Sequence, residues 1–227
     1  MNRIVPIALA ALIAIGGGVY WYTQQSATPA ATELQTQAQS SPDEEAQPAE
    51  DVDVSSVTEM TLGEPDAPVK IIEYASFTCP HCATFHENAF KRLRADYIET
   101  GKVHFIYREV YFDRFGLWAS LVARCGGQER FFGIADLLYK GQSDWTSGND
   151  PVAIADAIRK VGRLAGVGDE TLQACLQDEE RAQTLVAWYQ QNANKHDINS
   201  TPSFVIDGQK YSNMSYDEMK EIIDGKL

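Results

Sequence analysis

Positive charge is scarce in this chain of 227 residues: 19 Lys and Arg stand against 32 Asp and Glu, a formal net charge of −13. Neutralising a nucleic-acid backbone needs clustered Lys and Arg. No such cluster occurs, so no nucleic-acid partner is expected. Cysteine is scarcer still, with four in the chain and no second Cys-x-x-Cys to complete the ligand set of a structural zinc site. Internal repeats and low-complexity stretches are missing between residues 60 and 227. The hydrophobic fraction of 44% is ordinary for a globular protein and allows one sizeable core.

The apolar residues are unevenly distributed. Arg3 precedes an almost unbroken apolar run from Ile4 to Tyr22, the pattern read by an export machinery that keeps the N-terminus inside. Residues 1–22 are therefore expected to be a signal peptide or an N-terminal membrane anchor. The run suits a span of about 17–25 residues, and Trp21 and Tyr22 fall at an interfacial aromatic position. Ala27-Thr28-Pro29-Ala30 only loosely imitates a small-residue cleavage site. Residues 23–59 hold eight Asp and Glu, no Lys or Arg, and Pro29, Pro42 and Pro48 among Ala, Gln, Ser and Thr. Such a stretch buries too little apolar surface to offset its ordering entropy and is expected to be a disordered acidic tether. A net charge of −6 is left for residues 60–227, the expected folded domain.

That domain begins with a turn-rich lead-in, Gly63 to Pro68. Val69 to Phe77 then reads as a strand covered on both faces, and a helical pattern follows Cys79 through Phe85, Ala89, Phe90, Leu93 and Tyr97 to a stop near Gly101. Val103 to Arg108 reads as a second strand, so the segment is a βαβ unit with parallel strands. Residues 112–199 read as a run of helices broken at Gly126-Gly127, between Gly141 and Asp150, between Gly166 and Gly168, and near Asp178. Ser203 to Ile206 returns to strand, Asp207-Gly208 turns into a hairpin, and Ser215 to Leu227 closes with a helix.

The chemistry rests on Cys79-Pro80-His81-Cys82. Three residues apart at a helix start, the two sulfurs share one face and can close a disulfide with little backbone movement. Pro80 falls at the first helical position, where its missing N–H costs nothing. Cys79 lies where free N–H groups and the helix dipole favour a thiolate, which makes a good leaving group and an oxidising disulfide. A structural disulfide of so short a loop would constrain almost nothing. Zinc held by Cys79, Cys82 and His86 is the other alternative and lacks a fourth ligand. Redox chemistry is thus expected, with no metal or organic cofactor.

Two further positions bear on it. The Thr201-Pro202 bond stands just before the last strands, where a cis proline sets backbone beside the sulfurs and offers a free polar group to an extended substrate chain. An ordinary strand-start proline is the alternative. Glu73 is a carboxylate inside an apolar strand, costly unless it works; it can exchange protons with a buried Cys82, or be a satisfied structural acid.

The segment Glu73 to Cys82, EYASFTCPHC, resembles the active-site segment of DsbA-like oxidoreductases of the thioredoxin superfamily, and the likeness in order covers residues 60–227. The resemblance implies an α/β thioredoxin fold, a βαβ unit plus a ββα unit with a helical insertion at about 112–199. It implies Cys79 as nucleophile, Cys82 as resolving partner, His81 as a stabiliser of the Cys79 thiolate, Pro202 as cis-proline after Thr201, and Glu73 by its offset. It further implies a monomeric periplasmic enzyme that inserts disulfides into unfolded, reduced exported proteins and is reoxidised by a DsbB-type membrane protein. A reductase or isomerase kept reduced by a membrane electron donor is one alternative, and a tethered chain-binding holdase with incidental cysteines is another.

Cys125 and Cys175 depart from the simple pattern. At the ends of expected helices in an oxidising compartment, they are expected to form a structural disulfide. His86, His104 and His196 read as structural or surface groups, with only His86 near the chemistry.

Overall fold

The structure, a computed structural model, describes residues 52–148 and 150–227. The expected signal or anchor and most of the tether lie outside the described residues. Among those described, no helix is long and apolar enough to cross a membrane.

Five strands form one sheet in the order β1-β3-β2-β4-β5: β1 is Met60–Leu62, β2 Val69–Ala75, β3 Val103–Glu109, β4 Ser203–Ile206 and β5 Gln209–Ser212. The central β2 runs parallel to β3 and antiparallel to β4, while β1 and β5 close the edges antiparallel. Side chains alternate across the pleat. Val69, Ile71 and Ala75 of β2 enter the main core, whereas Ile72 and Tyr74 join Ile106, Val110 and Val205 in a smaller one on the opposite face. Glu73 shares the parity of Ile71 and Ala75, so the strand aims its carboxylate into the main core.

Helix α1, Pro80–Glu87, crosses back over that core and gives way at Asn88 to α2, Ala89–Leu93, and a π-helical turn, Arg94–Ile98. The single helix expected from the sequence is thus segmented. The Asn88 backbone leaves helical geometry, and the Asn88 side-chain amide donates to the Thr84 carbonyl at 2.9 Å. The insertion between β3 and β4 comprises α3 Arg114–Cys125, α4 Gly127–Lys140, the short α5 Gln142–Trp145, α6 Pro151–Leu164, α7 Asp169–Leu176 and α8 Glu179–Lys195. Asp113, Asp150 and Asp178 cap α3, α6 and α8 with their carboxylates, the caps expected of an Asp before an apolar run. Tyr189 of α8 packs against the smaller core. Helix α9, Tyr216–Asp224, starts with a capping box between Ser215 and Glu218.

Two expectations need correcting. Strand β1 was not expected ahead of the turn-rich lead-in, because three residues carry too short an alternation to register as a strand. The tether was expected to run to residue 59, yet its last residues are held by the fold. Glu59 pairs with Arg108 at 2.6 Å, the Thr58 carbonyl accepts from Arg124 at 2.9 Å, and the Val52 carbonyl accepts from Gln191 at 3.2 Å. The partners lie on β3, α3 and α8, so acidic local composition concealed the docking.

Gly63, between β1 and β2, has φ +84°, and a Cβ there would stand 2.3 Å from the Val103 carbonyl oxygen. That atom belongs to β3 and cannot swing aside. Gly63→Ala is expected to cost about 2 kcal/mol or more, from left-handed strain plus this clash. Thermal melts should show a Tm lower by roughly 4–8 °C, and an unchanged Tm would contradict the argument.

Candidate active site

The loop from β2 into α1 is fixed from three sides. The Cys79 amide donates to the Ser76 carbonyl at 3.1 Å, and the Thr78 hydroxyl donates to Asp113 at 2.9 Å, tying the loop to the α3 cap. The buried Gln142 amide donates to the carbonyls of Phe77 at 2.7 Å and Cys79 at 3.0 Å. Pro80 is the first residue of α1 and Cys79 is its N-cap, whose sulfur accepts from the Cys82 amide at 3.4 Å. Both cysteines are free thiols, Cys79 at 7% exposure and Cys82 at 0%. The Thr201-Pro202 peptide is cis and sits across from them, with the Thr201 carbonyl 3.5 Å from the Cys79 sulfur.

This setting separates the two thiols electrostatically. The hydrogen bond from the Cys82 thiol is the chief cause that lowers Cys79 to about 5; burial opposes it, and the Thr201 hydroxyl and the backbone N–H groups of Cys82 and His81 add to it. The buried Thr201 hydroxyl makes no hydrogen bond of ordinary geometry among the described residues, so it acts on Cys79 by proximity. Burial pushes Cys82 far above the ordinary thiol range, helped by its bond to Cys79 and by the Glu73 charge. His81 contributes its backbone amide, while its imidazole, like Pro80, is exposed.

Glu73 is fully buried, and both its oxygens lie within hydrogen-bond reach of His86 Nε2, at 3.1 and 2.9 Å. His86 is itself 3% exposed and stacks on Tyr139 with ring centroids 4.3 Å apart. It is therefore neither a surface group nor available to a zinc site. Sequence reasoning passed over this partner, although His86 follows Cys82 by four residues and so shares its helix face. Gln142 was missed outright, since its α5 lies in a segment that read as a break. His196 bonds the Tyr74 hydroxyl through Nδ1 at 2.6 Å, and His104 is half-buried on β3.

Cys125 at the end of α3 and Cys175 in α7 are joined by a disulfide, with a Cα separation of 6.1 Å. Among the described residues, no group of three or more His, Cys, Asp or Glu is placed to hold a metal ion.

A Cys-x-x-Cys pair opening the helix of a βαβ unit, faced by a cis-proline before a β-hairpin, defines a thioredoxin-class protein. The sequence model of the thioredoxin family matches residues 55–225, and the chain belongs to that family. The putative protein-disulfide oxidoreductase of Rickettsia bellii is 33% identical over 167 residues, covering 73% of this chain and 63% of the relative. That of Rickettsia felis is 30% identical over 210 residues, 89% of this chain and 74% of the relative. The chain thus spans just under two thirds of the length of the Rickettsia bellii relative. The crystal structure of Wolbachia pipientis alpha-DsbA1 matches with a TM-score of 0.69 at 27% identity, covering 74% of this chain and 90% of that one. BdbD from Bacillus subtilis, in its oxidised form, shares the fold with a TM-score of 0.65 at 24% identity, over 74% of this chain and 92% of its own. Within the thioredoxin family the chain is a member of the DsbA-like protein-disulfide oxidoreductases.

Proposed function

We propose that this protein inserts disulfide bonds into reduced, unfolded exported proteins in the periplasm, using Cys79 and Cys82 as its redox pair. The observation that carries this reading is Cys79 at the N-cap of α1, its sulfur accepting from the Cys82 amide at 3.4 Å above a fully buried Cys82, a setting that lowers the Cys79 thiol and raises that of Cys82. A stabilised thiolate in the reduced state makes the oxidised state eager to give its disulfide away. The names of the relatives support thiol–disulfide exchange as the reaction class.

In the reaction, a substrate thiolate attacks the Cys79 sulfur. The Cys79–Cys82 bond breaks, its electron pair passes to Cys82, and Cys82 takes up a proton in a cycle that uses Glu73 as proton carrier. A second substrate thiolate then attacks the substrate sulfur of the mixed disulfide, and Cys79 leaves as a thiolate. Pro80 sets the helix start, the His81 amide supports the thiolate, and Thr201 and Pro202 present backbone to the substrate chain. A quinone-linked membrane protein of the DsbB type restores the disulfide, and the enzyme acts as a monomer without a cofactor. The apolar run of residues 4–22, as signal peptide or membrane anchor, supports export.

The test is the equilibrium reduction potential of the Cys79–Cys82 pair in glutathione buffers, measured on the full chain. A value above about −180 mV is expected; one near about −270 mV, the thioredoxin range, would overturn the oxidase reading in favour of a reductase kept reduced by an electron-donating partner.

A pH dependence follows with a fixed sign. Folding lowers the Cys79 pKa to about 5, from about 8.5 in an unfolded chain. The stabilisation of the reduced form is therefore complete above the unfolded value and is lost as pH falls through about 5. The reduced protein should melt above the oxidised one at pH 8, with the gap closing towards pH 5. A stabilisation of about 2 kcal/mol would open a gap of roughly 4–8 °C in a domain this size. A gap that widens on acidification would contradict the assignment.

A further inference from the structure

Cys82 sits at the bottom of the site, fully buried, and every turnover makes and removes a proton on its sulfur. Glu73, also fully buried, has no contact with solvent of its own. Any proton it lends has to be replaced through a neighbour. His86 is that neighbour. Its Nε2 bonds both Glu73 oxygens, and its Nδ1 has no hydrogen-bond partner among the described residues. The same side chain lines a surface cavity of about 280 Å³ together with Glu87, Asn88, Lys91, Asp136, Tyr139 and Lys140. One imidazole thus stands between the buried carboxylate and a charged surface cavity formed with α4.

We propose that His86 is a positioning and relay residue that passes protons between this cavity and Glu73, and so recharges the carboxylate that serves Cys82. The proposal rests on the thiol–disulfide exchange reading and assigns it a proton route. When Cys82 leaves the broken disulfide with its electron pair, the Glu73–His86 pair gives up one proton to its sulfur. The pair regains one from water in the cavity at Nδ1. During reoxidation the proton runs the other way as the Cys82 thiol becomes a nucleophile. An imidazole suits this role because it binds a proton at one nitrogen while releasing one at the other.

The titratable groups around the ring are few. Cys82 lies on α1, Glu73 on β2, Tyr107 on β3 and Tyr139 on α4, and Glu87, Lys91, Asp136 and Lys140 border the cavity. Burial raises both tyrosines well above the ordinary phenol range, so neither competes for the proton. Tyr139 instead holds the ring flat by stacking.

The test uses the oxidised full chain mixed rapidly with a dithiol peptide, with the rate expressed per substrate thiolate between pH 5.5 and 8.5. His86→Gln keeps an N–H to hold Glu73 in place but cannot ionise. It is expected to slow the loss of the disulfide by about tenfold or more, a modest share of what proton transfer typically contributes. Absorbance at 240 nm should show the Cys79 thiolate forming over the same pH range as in wild type. His86→Ala should be slower still and should regain rate when imidazole is added. A His86→Gln protein that matches wild type across the range, or a slow His86→Ala protein that imidazole leaves unchanged, would overturn the relay. If either variant fails to fold, ring-labelled histidine NMR on the wild type decides. A His86 ring that never changes protonation between pH 4 and 9 in either redox state overturns the proposal. Wild-type oxidation of the peptide separates the two readings: if it is present while His86→Gln is unimpaired, the relay alone fails; if it is absent, the exchange reading fails and the relay with it.

Discussion

A Cys79→Ser protein is expected to leave reduced substrate chains unoxidised, with turnover lower by at least about 10³-fold, the scale on which removing a nucleophile acts. Cys79 is the sulfur at the helix start, beside the cis Thr201-Pro202 peptide, and the only one of the pair with any exposure. Serine there offers no disulfide to attack. The companion change, Cys82→Ser, should behave differently. The Cys79 thiolate survives, attacks a disulfide already present in a substrate chain with one substrate sulfur leaving as thiolate, and lacks the neighbour that would release the mixed disulfide so formed. Non-reducing gels should therefore show trapped adducts for Cys82→Ser and none for Cys79→Ser. Full function in the double serine variant would instead favour a chain-binding module in which the cysteines are incidental.

The largest stability effect is expected at Arg124. Its guanidinium bonds Glu109 at 2.6 and 2.7 Å, with 2% and 1% of the two side chains exposed. Ser120 adds a bond to Glu109 at 2.9 Å, and the Thr58 carbonyl takes a further guanidinium hydrogen at 2.9 Å. Arg124→Met would leave a buried carboxylate facing apolar neighbours and release the segment before β1. A loss of about 3–5 kcal/mol is typical of a broken buried pair, which lowers Tm by roughly 6–20 °C. Replacing both partners, Arg124→Met with Glu109→Leu, should recover much of the loss, because the uncompensated charge is gone. Thermal melts of the single and double variants check both statements; a double variant no better than the single one would mean that packing, and not charge, dominates there.

How much of this was written in the sequence follows from the range of the forces involved. The Cys79 pair, the strand before it and Pro202 were legible because each depends on neighbours a few residues away: an apolar strand, a helix start, a proline before a strand. Glu73 was legible for the opposite reason, as a carboxylate out of place in an apolar run. Its bonding partner was not, since His86 lies 13 residues on and meets Glu73 only once α1 folds over β2. Gln142 acts across a separation of 63 to 65 residues, and a glutamine in a polar stretch carries no local sign of burial. Strand β1 and the docked end of the tether were hidden likewise, because what holds them lies on β3, α3 and α8.

Gln142 has a consequence for protein engineering. The helical insertion invites treatment as a detachable module, to be shortened or exchanged between scaffolds. Yet its amide spends both hydrogens on the carbonyls of Phe77 and Cys79, so the insertion supplies part of the mould in which the catalytic loop is cast. A chimaera carrying a foreign insertion would keep every active-site residue and still present Cys79 on an unclamped backbone, unless an equivalent amide came with the graft.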